Sequence, residues 1–323
     1  MSRLSRGLDR VLGRGGMEAR ELHSLVQDDL ISDEVLAHVV GRLGKEDLEA
    51  LLGSERLRVR PMLVALSARA AGAAAVDPEL QHAAELLHLA LTVHDVTLGQ
   101  PGGRRRRVAR RLLKRFGGSH LTVRALELVR HVSPPEIMGE AVDTLRAFAD
   151  GEALSRHLRE SGVVPERREA LEHADVHDGA LLAFCCRAGG YIAGGDVATV
   201  AALGRYGRHV GRLWTLAEDQ AGLTSDEAPA WLQARAAAGR PVLAVAVAAE
   251  RDDEVEALWG GLVQDGRNAD ILVERLRTTG ALASTREAMA QSSWTARQAL
   301  RNLPESPYRQ GMDALAGGLA RAS

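Results

Sequence analysis

The chain has 323 residues, of which 46% are hydrophobic and 26% charged, enough for a large core in one big domain or two ordinary ones. Aromatics are only 3% and prolines only 10, while Ala, Leu, Arg and Glu are abundant, a balance that favours helices throughout. A formal net charge of −2 gives no global attraction to nucleic acid, so any electrostatic function is local.

In chain order, residues 1–16 carry Arg3, Arg6, Arg10 and Arg14 among glycines, with no apolar signal-peptide core, and are expected to form a flexible basic arm. Helical apolar spacing is expected over 17–52, with Ser32 a cap before Asp33 and Glu34. Arg56, Arg58 and Arg60 then alternate before Pro61, which suits the first turn of a helix over 62–71.

The next helix is the informative one. From about Glu79 it is nearly filled with apolar residues, yet it holds Glu85, His88, His94 and Asp95. Burying such groups is costly unless they are paired, so a buried helix carrying them points to a site. Gly99 and the run Arg104 to Arg107 follow. A carboxylate with arginines just beyond it suggests a place for metal ions and phosphate. Arg110, Arg111, Lys114 and Arg115 read instead as a solvated helix face.

Helices are expected next over 119–131, 136–160, 168–191 and 197–221, then over 231–238 and 242–249. Further helices run from 253 to 300, broken near Gly266 and Gly280, with a last one over 308–321. No strand pattern survives, so the chain reads as all-α, an antiparallel bundle with 17–323 as one domain. No apolar run suits a membrane span, and Cys185 and Cys186, adjacent in an apolar run, read as core thiols in a reducing, cytoplasmic setting. His173 and His177 stand four apart and could hold zinc with Asp178; two histidines on a surface helix are the commoner reading.

Taken together, these landmarks resemble the trans-isoprenyl diphosphate synthases, the polyprenyl synthetase family, over roughly residues 20 to 320. Arg58-Val59-Arg60-Pro61 is similar to the family's Arg-hydrophobic-Arg-Pro segment, and the helix of His88, His94 and Asp95 to its first Asp-rich helix. Arg104 and Arg105 fall at its paired arginines; Gly179 to Gly189 resembles the segment after its Lys-Thr pair. Trp214 to Asp226 resembles its second Asp-rich region, and Gly239-Arg240-Pro241 its Gly-Lys loop.

The resemblance implies an isoprenoid synthase-type helical bundle around a central cavity. It also implies Mg²⁺ held by two facing Asp-Asp-x-x-Asp motifs, and condensation of isopentenyl diphosphate with an allylic diphosphate. Metal charge is the main aid to a departing diphosphate.

This chain departs from the pattern at those motifs. The first reads Asp95-Val96-Thr97-Leu98-Gly99 and the second Glu218-Asp219-Gln220-Ala221-Gly222, each without an acid at the fifth position. Leu57, His177-Asp178, Thr215 and Val242 replace a Lys, the Lys-Thr pair, a Gln and a Thr. Residual metal ligands are then Asp95, Glu218 and Asp219. By resemblance, the diphosphate-binding set is Arg58, Arg60, His88, Arg104, Arg105 and Arg240.

The expected function is a catalytically degenerate homologue, serving as a non-catalytic or regulatory subunit or a diphosphate-binding protein. It would be a homodimer, or a heterodimer with a catalytic isoprenyl diphosphate synthase. An active prenyltransferase with an altered Mg²⁺ site is the alternative, and a scaffold or cargo protein reusing the fold the second.

Overall fold

The computed structural model describes residues 19–27, 30, 59–98, 120–131 and 134–321, without the side chains of 19–21, 23 and 94–98. The basic arm, the Ser32 cap, Arg56, Arg58 and the run Arg104 to Arg115 lie outside the described residues. Asp95 falls within a helix, but its side chain is also outside them.

Among the described residues every regular element is helical. α1 (Ala19–Val26), α2 (Val59–Ala70), α3 (Pro78–Leu98) and α4 (His120–His131) come first. α5 (Glu136–Ser161) follows, then α6 (Arg167–Ala174), a π turn (Asp175–Gly179) and α7 (Ala180–Ile192). α8 (Val197–Leu223) is the longest and leads to α9 (Ala228–Ala237) and α10 (Leu243–Ala249). α11 (Glu254–Asp265), α12 (Ala269–Thr278), α13 (Ala281–Ala299) and α14 (Pro307–Ala320) complete the chain.

Local chemistry sets these boundaries. The Asp196 carboxylate accepts the Thr199 amide at 2.8 Å and starts α8, and the Ser306 hydroxyl accepts from Arg309 at the start of α14, with Pro307 at the first helical position. Glu166 and Glu169 close a reciprocal capping box at the start of α6. Gly162 ends α5 with φ 68°, a left-handed conformation that glycine adopts without a Cβ penalty.

α8 is the packing axis. It lies along α7 and α13, and α7 also lies along α2 and α5. The buried face of α8 contributes Leu203, Tyr206, Val210, Leu213 and Leu216, and the Tyr206 hydroxyl donates to the Met312 carbonyl at 2.7 Å, fixing α14 against it. α7 approaches α2 through Gly189, where a Cβ would stand 2.6 Å from the Val64 carbonyl oxygen. Cys185 and Cys186 are fully buried free thiols on α7. Burial pushes both up, Cys186 to about 12.

The helix expected over 168–191 is interrupted by the π turn, which holds His177 and Asp178. Here the wider i→i+5 turn lets one extra residue protrude, and such bulges are frequent at functional sites.

Candidate functional site

The site gathers around that π turn. Facing it from α3 is His88, whose Nδ1 lies 3.9 Å from a Glu85 carboxylate oxygen. Burial and the positive charge of Arg60 on α2 hold His88 down to about 4, while Glu85 and Asp178 pull the other way. His88 is therefore neutral at physiological pH. Among the described residues no carboxylate is bonded to Arg60.

From the π turn, the Asp178 carboxylate accepts the Thr215 hydroxyl of α8 at 2.8 Å. One helical turn on, Glu218 accepts the Trp214 indole N–H at 3.1 Å. Burial first, and then the like charge of Asp178, raise Glu218 to about 7. Asp219 is 2% exposed and bonded to Arg235 of α9; burial raises its carboxyl and Arg235 opposes the shift. Trp231, one turn before Arg235, places its ring 5.3 Å from the Arg235 guanidinium carbon. Neither acid is therefore part of a solvated helix end: Asp219 is buried and paired, and the environment of Glu218 disfavours its charge.

On the other side of the turn, Arg240 is 5% exposed and donates to Glu152 of α5 at 2.8 Å. A second guanidinium nitrogen lies 2.9 Å from His173 Nε2, which also lies 2.9 Å from the Ser155 hydroxyl. This corrects the expectation of surface histidines. His173 is buried, and His177 stacks on it with ring centroids 5.5 Å apart and rests against Phe148 at 4.7 Å. Burial, with Arg240, Arg235 and His88 nearby, lowers His177 well below its ordinary value. His173 is thus committed to hydrogen bonds inside the bundle, and the pair offers no zinc site.

Of the residues singled out from sequence, His88, Glu218, Asp219 and Arg240 lie close enough to the π turn to interact with its His177 or Asp178, and Arg60 acts on His88. Arg240 faces Glu152 and His173, which makes it a buried structural ion pair. Sequence reasoning missed Arg235 and Trp231, whose link to Asp219 crosses a loop, and Glu152, which lies 88 residues before Arg240.

The Mg²⁺ that the resemblance implies can be tested against this donor set. Asp219 is bonded to Arg235, and Asp178 accepts from Thr215. No group of three or more His, Cys, Asp or Glu among the described residues is arranged to hold a metal ion. The described residues do not fit a divalent-cation cage.

This helical architecture matches solved isoprenyl synthases. A polyprenyl synthase from Caulobacter crescentus, complexed with calcium and isoprenyl diphosphate, superposes with TM-score 0.78 at 22% identity, covering 94% of this chain and 98% of that one. A heptaprenyl diphosphate synthase from Staphylococcus aureus gives 0.76 at 16% identity, again covering 94% and 98%. In sequence, the chain is 28% identical over 211 residues to a short chain isoprenyl diphosphate synthase of Methanothermobacter thermautotrophicus, 61% of this chain and 65% of that relative's length. It is 26% identical to a nonaprenyl diphosphate synthase of Mycobacterium tuberculosis, over 89% of this chain and 85% of that relative.

The fold is thus that of the all-α isoprenyl synthases. The polyprenyl synthetase family model matches residues 45–231, more than half of the sequence, and the chain belongs to that family. No described helix is long and apolar enough to cross a membrane.

Proposed function

We propose that this chain is a catalytically degenerate polyprenyl synthetase, a non-catalytic subunit that retains part of the diphosphate-binding half of the pocket. It acts in the cytoplasm as a homodimer, or as a heterodimer with a catalytic isoprenyl diphosphate synthase. The observation that carries this reading is Asp219, which is buried and neutralised by a protein cation, Arg235. Without metal charge an allylic diphosphate is a poor leaving group, and a carboxylate neutralised by Arg235 contributes little to holding that charge.

Support for retained anion binding comes from Arg60. It carries a permanent charge beside neutral His88, and no described carboxylate is bonded to it. The Caulobacter relative, by its description, is complexed with isoprenyl diphosphate, which makes that the ligand class to test. Arg58, Arg104 and Arg105 complete the proposed set.

A second reading, an active prenyltransferase with an altered Mg²⁺ site, is favoured by the names of the sequence relatives, which are synthases, and by the mutual repulsion of Glu218, Asp178 and Asp219. The test is turnover by the purified chain with labelled isopentenyl diphosphate and dimethylallyl, geranyl or farnesyl diphosphate in excess Mg²⁺. The degenerate-subunit reading expects no product alone, and product or an altered chain length on adding a catalytic homologue. Product from the lone chain that Asp95→Ala abolishes would refute it. Silence in both arms would leave a scaffold that reuses the fold.

A further inference from the structure

The second acidic motif has been rebuilt, and the parts of the rebuilding interlock. Gly222 stands at its fifth position, and the Trp231 indole lies directly on it. A Cβ added at Gly222 would come within 2.6 Å of the indole Nε1 and closer still to two ring carbons. No side chain, acidic or otherwise, fits there while Trp231 keeps its place, because real Cβ atoms do not approach ring atoms so closely.

The same indole lies 5.3 Å from the Arg235 guanidinium, and Arg235 is bonded to Asp219. Trp231 and Arg235 are one helical turn apart on α9, so they share a face. Gly222 and Asp219 are three apart on α8 and share another. The two faces meet as two contacts: ring on glycine, and guanidinium on carboxylate. Arg235 is 22% exposed and Asp219 2%, so the ion pair is largely shielded from water.

We propose that Arg235, clamped by Trp231 over Gly222, is a built-in organic cation that occupies the place of a divalent ion at Asp219. The inference deepens the degenerate-synthase reading and rests on its assignment of Glu218 to Gly222 as the second acidic motif. A guanidinium keeps its charge at every physiological pH and is held here by a side-chain clamp, so a divalent cation reaches Asp219 only by breaking a shielded ion pair. At Asp219 a diphosphate would therefore meet a fixed guanidinium in place of an exchangeable ion.

The experiment is Mn²⁺ titration of the full chain followed by electron paramagnetic resonance, which counts free ion and needs no turnover. The wild type is expected to show no Mn²⁺ site that Asp219→Asn removes. Arg235→Gln, which frees the Asp219 carboxylate, is expected to tighten Mn²⁺ binding at least about tenfold, and adding Asp219→Asn should abolish the gain. Trp231→Leu, which keeps apolar cover but releases the guanidinium, should give an intermediate gain.

Wild-type Mn²⁺ binding that Asp219→Asn abolishes would overturn the proposal. That arm decides it even where an Arg235 variant does not fold. A folded Arg235→Gln protein with unchanged Mn²⁺ affinity would overturn it as well. Asp219-dependent Mn²⁺ binding without turnover sinks this inference and leaves the degenerate-subunit reading standing. Turnover that persists without divalent ions does the reverse.

Discussion

The Thr215 hydroxyl donates to Asp178 at 2.8 Å, joining the π turn to α8, and Asp178 in turn is the nearest reason after burial that Glu218 titrates near neutrality. Asp178→Asn removes the like charge while keeping an acceptor for Thr215. Glu218, raised to about 7, is then expected to titrate lower, as followed by carboxyl carbon NMR. A raised carboxyl favours the folded state at low pH, and that advantage is lost as pH rises from the ordinary carboxylate value through about 7. Asp178→Asn should flatten this loss. A Glu218 titration unmoved by the substitution would show that Asp178 does not set it.

His88 gives the opposite sign. Its folded value of about 4 lies below the ordinary 6.5, so above 6.5 both states are neutral and His88 has no pH effect. As pH falls from 6.5 towards 4 the unfolded chain takes up the proton first, and stability drops by about 3 kcal/mol. Urea denaturation at pH 7 and pH 4.5 should show the decline, and His88→Gln should reduce it. Equal slopes in the two proteins would mean that His88 is accessible to protons in the folded state.

Arg240 and Glu152 form a shielded pair with His173 attached. Arg240→Met leaves Glu152 without that partner at low exposure, and such single truncations cost about 3 kcal/mol or more. The double variant Arg240→Met with Glu152→Met should recover much of the loss. Chemical denaturation of the four proteins of the cycle measures the coupling. Additive losses would mean that the pair is not coupled in the folded chain.

Gly189→Ala is expected to destabilise even though alanine is the better helix former by about 1 kcal/mol. Its methyl would stand 2.6 Å from the Val64 oxygen and 2.8 Å from the Ala68 nitrogen, both main-chain atoms that cannot rotate away. Forcing α2 off α7 costs about 1–3 kcal/mol. Thermal denaturation should therefore show a lower midpoint, whereas a higher one would mean the two helices separate freely.

Arg60→Gln tests the anion half of the pocket. Inorganic pyrophosphate binding, read by calorimetry, should weaken by roughly tenfold to a hundredfold, the value of a charge-assisted hydrogen bond. Unchanged affinity would place pyrophosphate elsewhere on the chain.

The helices were largely legible in the sequence because their signals are local. Apolar spacing and the glycines at 266 and 280 act within a few residues, and the observed boundaries of most helices fall close to those expected. The π turn was not legible, since a wide turn has no residue signature and its sequence reads as continuous helix. The convergence of His88, Glu218 and Asp219 was visible only through family resemblance. Their pairing was not: Arg235 to Asp219 and Arg240 to Glu152 depend on how separate helices cross. Arg240 illustrates the limit, for a Gly-Arg-Pro loop looks like an anion contact until Glu152 is found facing it.

The two thiols of α7 give the protein a clock of its own opening. Cys185 and Cys186 have no exposed surface, and burial keeps them protonated well above neutrality, so a thiol reagent in solution meets no nucleophile in the closed bundle. Modification must wait until α7 parts from its neighbours α2 and α8. With reagent in excess, the labelling rate becomes the rate at which the centre of the bundle breathes, read without any introduced probe. Any ligand or partner that binds the closed form should slow that clock.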